Sequence, residues 1–335
     1  MRITRDQLLK IAEDTVAERA RADKSILAAY LHGSLLEGNE PLLGGAADID
    51  LTFIHIGVDE PREILRMSDD ISLDILHHAR EDYEPARTLR QKPMLGPAVF
   101  YAKPLYDPQH FLDFTQASAR GMYGEPENVL ARSEPGLTTA RRYWFSAQGS
   151  PTDGGTRGTL DYLTALGQTA NAVAGLSGPA LTVRRLLLDF PARAAAVGHE
   201  GLAAGLLGLM GGMGVDAAQI TGWLPDSTAA YTALGRAGLA PAELAPARQA
   251  YYEKAIRALA EGGQPAAALW PLLTTWTAAV AELGEGTEAA LRWEDALAPL
   301  GLVGDGLKEK LAGLDAYLDR VEELFDRWKR ERGLL

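Results

Sequence analysis

The sequence predicts an α+β protein in which a small mixed sheet with helices, in residues 1–110, precedes an all-α helical bundle, in residues 111–335. In the first third of the chain, short apolar runs that end at turn-forming residues alternate with helical segments, which is typical of mixed α and β structure. Beyond residue 110, Ala- and Leu-rich segments are separated by Gly and Pro, which indicates helices alone. A chain of 335 residues is long enough for two domains with separate cores.

The first helix is expected to begin after Thr4, whose hydroxyl can cap it, and to end near Ala22. Apolar residues recur in this segment at steps of three and four, which places them on one buried helix face. They are Leu8, Ile11, Ala12, Val16 and Ala20.

Four strands are predicted next, each from a short apolar run bounded by turn formers. They cover residues 26–31, 48–54, 71–76 and 98–102. We expect Pro104 to close the last of them, because proline cannot donate a backbone hydrogen bond to a sheet.

The last predicted helix carries an apolar seam whose members alternate steps of four and three. The seam consists of Leu307, Leu311, Leu314, Leu318, Val321, Phe325 and Trp328. Such a seam either packs within a bundle or joins two subunits. The sequence therefore permits a homodimer without requiring one.

Composition and charge exclude several kinds of site and partner. The chain has no cysteine, which removes disulfides and thiolate metal ligands and fits a reducing cytoplasm. The first residues lack the apolar core of a secretory signal, and no apolar stretch reaches the roughly 18–20 residues that span a bilayer. We therefore expect a cytoplasmic protein without a membrane partner. A net charge of -12 disfavours nucleic acid as a partner.

Three aspartates lie in the predicted strands at positions that favour one cluster. Asp48 and Asp50 are two residues apart, so on a strand both project from the same face. Asp74 points away from the apolar face of the next strand by the same alternation. If these two strands pair, the three carboxylates share one patch.

Three adjacent carboxylates repel one another unless a cation neutralises them. Mg²⁺ suits such a patch, because it prefers a few carboxylates together with water and substrate phosphates. The turn at Gly33-Ser34 follows an apolar strand and can seat a phosphate, since glycine lets the backbone approach an anion closely and serine offers its hydroxyl and amide.

The order of these features, in residues 31–34, 47–51 and 73–75, resembles the minimal signature of the DNA polymerase beta-like nucleotidyltransferase superfamily. The resemblance covers about the first third of the chain and implies the nucleotidyltransferase fold for residues 1–110. The helical remainder is similar in arrangement to that of the small bacterial aminoglycoside nucleotidyltransferases.

The resemblance assigns roles to five residues. Asp48 and Asp50 would bind two Mg²⁺ ions that bridge a nucleoside triphosphate, while Gly33 and Ser34 would hold its β- and γ-phosphates. Asp74 would complete the second metal site or accept the proton of the attacking hydroxyl. The implied reaction transfers a nucleoside monophosphate, with AMP from ATP favoured, to a hydroxyl of a small molecule and releases pyrophosphate.

Other interpretations of the same residues stay open. The protein could be a nucleotide-binding or antitoxin-like interaction protein of the same fold without turnover. Asp48 and Asp50 could be solvated acids on an exposed strand, and Asp74 could simply pair with an arginine. Arg141 and Arg142, or Lys103, are further candidates for contact with a triphosphate, although solvated surface charge is the simpler interpretation of each.

Overall fold

The computed structural model describes residues 3–36, 42–57, 61–149 and 155–335. The chain divides into two compact units, Met1–Asn128 and Val129–Leu335. The sequence predicts this division at residue 110. The helix at Phe111–Arg120 packs against elements of the first unit, which are the strand at Ile26–His32 and the helical segments at Ala86–Gln91 and Leu95–Tyr101.

The first unit is α+β, as predicted. Its elements are the helix α1 (Arg5–Ala22), the strands β1 (Ile26–His32), β2 (Ala47–His55), β3 (Glu63–Arg66) and β4 (Ile71–Ala79), the helix α2 (Leu95–Tyr101), the strand β5 (Lys103–Tyr106) and the helix α3 (Phe111–Arg120). Single turns of 3₁₀ helix lie at Gly33–Leu35 and Leu43–Gly45, and two more 3₁₀ segments at Arg80–Tyr83 and Ala86–Gln91.

The five strands form one mixed sheet in the order β3-β4-β2-β1-β5. The central strands β2 and β4 are parallel, and every other neighbouring pair is antiparallel. One face packs against the apolar side of α1, where Leu8 and Val16 meet Ile49 and Leu51. The other face packs at one end against α2, α3 and Tyr83. Since neighbouring residues alternate between the faces, the even-numbered residues of β2 and β4 point away from α1.

The described residues of the second unit contain helices and no strands, as predicted. The helices are α4 (Pro126–Gly149), which begins just before the unit, α5 (Gly155–Gly175), α6 (Leu186–Ala196), α7 (Gly201–Leu209), α8 (Ala217–Ala237), α9 (Gln249–Glu261), α10 (Pro265–Leu283), α11 (Glu288–Leu297) and α12 (Gly304–Glu331). Among the described helices, none combines the length and the apolar character that a bilayer crossing needs.

The predicted C-terminal seam lies on α12, which packs against α5 and α7. Leu314, Leu318 and Val321 are fully buried within the chain. The seam is therefore used inside the helical bundle. A role of α12 in joining two subunits stays a prediction. Such a contact would have to use the side of α12 that is exposed in the single chain.

Several local predictions are confirmed. Thr4 caps α1 through a reciprocal pair of hydrogen bonds with Gln7, and α1 ends at Ala22. The first three predicted strands correspond to β1, β2 and β4, each one to three residues longer than expected.

The predicted strand at residues 98–102 is wrong, because α2 covers Leu95–Tyr101. An apolar run of this length does not distinguish a strand from a buried helix. Pro97 lies in the first turn of α2, where its missing N–H would have had no partner in the helix. Pro104 lies within β5 rather than closing a strand, and β5 is an edge strand, where proline is tolerated.

Candidate active site

The parallel pairing of β2 with β4 brings the three predicted carboxylates together. Asp50 and Asp74 are direct register partners, and Asp48 precedes Asp50 by two residues on the same face. One carboxylate oxygen from each of the three lies within 4.8 Å of the others, which is a spacing that a metal ion can bridge. The predicted convergence is confirmed.

The cluster is largely withdrawn from solvent. Asp48 is 3% exposed and Asp74 is 5% exposed, while Asp50 is half-buried. Like charges at this spacing in a buried setting strongly disfavour one another's ionisation unless cations or hydrogen-bond donors compensate them. The compensating groups therefore decide what the cluster can do.

Ser72 orients the first carboxylate. It lies opposite Asp48 in the register of β2 and β4, and its hydroxyl donates to Asp48 Oδ1 at 2.8 Å. Ser72 is only 2% exposed, so its hydroxyl is held in the cluster rather than shared with solvent. Ser72 was not among the residues predicted for the site, although its place two positions before Asp74 in the same strand puts it on the same face.

Arg62 neutralises the third carboxylate. Its Nε donates to Asp74 Oδ1 at 2.7 Å and its terminal nitrogen donates to Asp74 Oδ2 at 2.5 Å, so both oxygens accept from one guanidinium. The antiparallel pairing of β3 with β4 brings Arg62, the residue before β3, onto this face. An arginine partner for Asp74 was an open alternative in the sequence, and the structure identifies it.

Arg62 could not be identified from the sequence because β3 was not predicted. Its four residues, Glu63–Arg66, show no apolar alternation and are too short to stand out as a strand. A metal ion that binds Asp74 must therefore compete with the bidentate guanidinium of Arg62.

The turn at Gly33 touches the cluster directly. Gly33 has a φ of 75°, and a Cβ built there would lie 2.1 Å from Asp50 Oδ2. Glycine is therefore required at this position both for its backbone conformation and for the approach of the carboxylate. Ser34 follows in the single 3₁₀ turn Gly33–Leu35. Contact of these two residues with phosphates stays a prediction.

A row of polar side chains extends from the cluster along the same face of the sheet. His32, the register partner of Asp50, contacts Thr52 through Nε2 and Oγ1 at 3.0 Å. Burial lowers the pKa of His32 to about 4, with Asp74 opposing the change and Arg62 reinforcing it. His32 is therefore a neutral ring near pH 7, able to exchange hydrogen bonds but carrying no charge toward the carboxylates.

The neighbouring histidines 77 and 78 lie on opposite faces of β4, because adjacent residues of a strand alternate between its faces. His77 Nε2 contacts Glu63 at 2.9 Å on the face toward α1, and His78 Nδ1 contacts the hydroxyl of Tyr83 at 2.9 Å on the other face. The two rings do not share an ion. Neither belongs to the carboxylate cluster.

Lys103 and Arg141 have acidic partners, whereas the guanidinium of the third basic candidate, Arg142, lies 5.9 Å from the centroid of the Tyr143 ring. Lys103 Nζ donates to Glu13 at 3.0 Å. Arg141 of α4 donates to three carboxylates of α12 at 2.7 to 2.9 Å; they are those of Asp315, Asp319 and Glu322. Burial lowers the pKa of Arg141, but these acids outweigh it and raise the pKa overall. The structure gives Lys103 and Arg141 a role in ion pairs of their own units.

No protein-family model matches the chain, and no curated protein matches it. Among solved structures, it is similar to a nucleotidyltransferase-like protein from Exiguobacterium sibiricum, with 12% sequence identity and a TM-score of 0.31. The alignment covers 93% of this chain and 79% of that protein. At this TM-score the likeness carries no argument about function, and the candidate site rests on its own geometry.

Proposed function

We propose that this protein is a Mg²⁺-dependent nucleotidyltransferase, which moves a nucleoside monophosphate from a nucleoside triphosphate to a hydroxyl of a small molecule. The observation that carries the proposal is the meeting of Asp48, Asp50 and Asp74 within 4.8 Å, directly beside the turn at Gly33. This combines an oxygen-ligand cluster suited to Mg²⁺ with a backbone turn suited to phosphate.

Asp48 and Asp50 hold the metal in this proposal. Both lie on the rigid central strand β2, and the hydroxyl of Ser72 fixes the orientation of Asp48. Bound Mg²⁺ would draw the triphosphate toward the strand and stabilise negative charge on the transferred phosphorus and on the leaving pyrophosphate. Gly33 and Ser34 would seat the terminal phosphates beside it.

Asp74 has two states in this scheme. With Arg62 bound, it is a structural carboxylate, and the site holds one metal ion on the other two aspartates. Once Arg62 moves away, Asp74 can complete a second Mg²⁺ site or accept the proton of the attacking hydroxyl. The released guanidinium would then be available to the triphosphate, for which bidentate pairing is well suited.

The resemblance in residues 31–34, 47–51 and 73–75 favours AMP, taken from ATP, as the transferred group. It also favours a hydroxyl of a small molecule as the acceptor. The net charge of -12 fits this acceptor class better than a nucleic acid, whose binding would require a basic surface.

A second candidate is a nucleotide-binding or interaction protein without turnover. The Arg62–Asp74 ion pair favours it, because a guanidinium already compensates the third carboxylate without any metal. The two candidates differ in what they need: turnover requires Asp74 to be released, whereas binding alone does not.

The first experiment measures thermal unfolding with each of the four nucleoside triphosphates, with and without Mg²⁺, and needs no acceptor. A ligand that binds only the folded protein, present at a hundred times its dissociation constant, adds about 2.7 kcal/mol of stability. We expect stabilisation that requires both Mg²⁺ and the aspartates, so that it disappears in Asp48→Ala/Asp50→Ala.

The control variant is Asp69→Ala/Asp305→Ala, which removes the same two charges from side chains that are 96% and 94% exposed. It should respond to the ligands as the wild type does. If no triphosphate stabilises the wild type in the presence of Mg²⁺, the proposed nucleotidyltransferase fails, and the candidate without turnover, as an interaction protein, is favoured instead. Stabilisation without release of pyrophosphate across a broad set of acceptors would favour the candidate without turnover.

A further inference from the structure

A second line of hydrogen bonds lies on the face of the sheet toward α1, away from the carboxylate cluster. Asp23 Oδ2 contacts the Ser25 hydroxyl at 2.9 Å, and the same hydroxyl contacts His55 Nδ1 at 3.0 Å. His55 Nε2 contacts His77 Nδ1 at 2.9 Å, and His77 Nε2 contacts Glu63 Oε1 at 2.9 Å. His55 is 2% exposed and His77 is 9% exposed, so protein groups rather than water satisfy these rings.

The number of hydrogen atoms in this line can be counted. Each of its four contacts joins two electronegative atoms and needs one hydrogen between them. Ser25 supplies one hydrogen, and two neutral imidazoles supply one each, which leaves one contact short. All four are satisfied when the pair of His55 and His77 carries one additional proton. Three of its four ring nitrogens then bear hydrogen.

The charges around the line agree with this count. Three charged groups contact it among the described contacts: Asp23 from the turn after α1, Glu63 from β3, and Arg19 from α1, which binds Glu63 at 2.8 Å. With neutral imidazoles these groups sum to one negative charge, and with one imidazolium they sum to zero. The ring of Phe53 stacks on His77 at 5.8 Å between centroids, an arrangement that also favours a cation.

The two histidines help to lower the pKa values of the acids at the two ends of the line. Arg19, followed by the hydrogen bond from His77, lowers the pKa of Glu63 against the opposing effect of burial. The backbone amide of Ser25 is the main cause that lowers the pKa of Asp23, and the two histidines add to it. Both carboxylates therefore stay ionised opposite the pair through the neutral pH range.

This line is connected to the candidate active site through β3. Arg62 and Glu63 are consecutive, and their side chains reach opposite faces of the sheet. Glu63 binds His77 on one face, while Arg62 binds Asp74 on the other. β3 is a strand of four residues at the edge of the sheet, and among the described strands it pairs with β4. The two side-chain contacts therefore hold β3 to β4 on both faces of the sheet.

We propose that the buried pair of His55 and His77 binds one proton in the folded protein. This proton stabilises the attachment of β3 to β4 and thereby the ion pair of Arg62 with Asp74. Loss of the proton removes the attraction between His77 and Glu63 and leaves one contact in the line without a hydrogen. The contact of Glu63 with His77 then weakens, and the neighbouring contact of Arg62 with Asp74 weakens as a result. The inference does not depend on metal or nucleotide binding.

The experiment uses the metal-free full chain labelled with ¹⁵N in its histidine rings. At pH 8 an ordinary histidine, with a pKa of about 6.5, is roughly 97% neutral and bears one ring hydrogen. We expect three protonated nitrogens among the four of His55 and His77 at this pH. Two protonated nitrogens would overturn the proposal, and this measurement on the wild type needs no variant to fold.

The second readout is hydrogen exchange at Arg62 Nε, relative to Arg5 Nε, which donates to the backbone oxygen of Leu35 at 2.9 Å in the same unit. As pH rises and the pair loses its proton, the rate at Arg62 should increase severalfold relative to that at Arg5. A constant ratio across this titration would refute the link to β3.

Two variants should show the fast exchange at Arg62 already at pH 8. His77→Gln removes the titrating ring, and Glu63→Gln keeps a hydrogen-bond acceptor but removes the charge. Using both guards against failure of either one to fold. His78→Gln is the matched control, because His78 lies next in β4 on the opposite face and contacts Tyr83 instead. It should exchange like the wild type, and a change equal to that of His77→Gln would count against the proposal.

Discussion

Gly33 and Asp50 are in such close contact that a Cβ on Gly33 would lie 2.1 Å from Asp50 Oδ2. A side chain at position 33 must therefore displace the carboxylate or the turn. The φ of 75° at this position adds a penalty of about 1–2 kcal/mol for any residue other than glycine. In the proposed function, both partners belong to the metal and phosphate site.

Gly33→Ala should therefore abolish stabilisation by Mg²⁺ with nucleoside triphosphate and should lower the free energy of unfolding by about 2–4 kcal/mol, from strain together with overpacking. Urea unfolding with and without ligand measures both effects.

Gly45→Ala is the matched control for this variant. Gly45 has a similar φ of 80°, but a Cβ there would meet no atom within 4 Å. Its free energy of unfolding should fall only by the cost of the left-handed backbone conformation, about 1–2 kcal/mol, and its response to ligand should be kept. Equal loss of ligand response in both variants would show that general strain, rather than the contact with Asp50, controls the site.

The candidate site could be predicted from the sequence to the extent that strand periodicity controls it. The two-residue spacing of Asp48 and Asp50 and the apolar run around Asp74 determine which face each carboxylate takes, and the structure agrees. Arg62 could not be predicted, because its place follows from the pairing of a four-residue edge strand without apolar alternation. Pairing between distant segments leaves no periodic signal in either one.

The same limit explains the error at residues 98–102. The apolar run there satisfies a strand or a short buried helix equally well, and tertiary packing against α3 favours the helix α2. The long helices were easier to predict, since α12 repeats its apolar steps over many turns.

Ser72→Ala should weaken metal binding through Asp48. The hydroxyl of Ser72 donates to Asp48 Oδ1 at 2.8 Å, and loss of a group that orients a ligand typically costs about 10–100-fold in metal affinity. Titration with Mn²⁺, followed by its paramagnetic signal, measures this affinity.

Ser227→Ala is the control for this serine, because Ser227 is also buried, at 6% exposure, but lies in α8 of the second unit. Its Mn²⁺ affinity should equal that of the wild type. An unchanged affinity in Ser72→Ala would mean that Asp48 is not a metal ligand or needs no orienting partner.

Arg62→Ala should remove the ion pair with Asp74 and thereby favour metal binding by that carboxylate. Without divalent ions, the variant leaves Asp74 buried without its guanidinium, which should lower the free energy of unfolding by about 2–4 kcal/mol. With Mg²⁺ or Mn²⁺, the freed carboxylate should bind the ion more tightly than in the wild type and recover part of that loss. Thermal unfolding across a metal titration measures both.

The control is Arg66→Ala at the other end of β3, where the side chain is 52% exposed and lies 4.0 Å from the exposed Asp69. Exposed pairs contribute about 0–1 kcal/mol, so this variant should resemble the wild type. Weaker metal binding in Arg62→Ala would contradict the competition and would assign Arg62 a supporting role in the occupied site.

Acid should destabilise the protein through His32. Its pKa is lowered by burial to about 4 in the folded chain, whereas an unfolded histidine has a pKa near 6.5. Between these values the unfolded chain binds more protons, so stability decreases as pH falls from about 6.5 to about 4 and this contribution stops changing below that. With allowance for partial exposure of the ring, the loss should be on the order of 2 kcal/mol.

His32→Asn removes this titration and should show a correspondingly flatter stability between pH 6.5 and 4 in urea unfolding. His110→Asn is the control, because Asn tolerates the positive φ of 56° found there. The hydrogen bond to Asp113 raises the pKa of the exposed His110, so this residue opposes rather than causes the loss in acid. The control should therefore keep the full acid dependence. If His32→Asn keeps it as well, the ring of His32 titrates freely, and the carboxylate cluster lies beside a cation at mildly acidic pH.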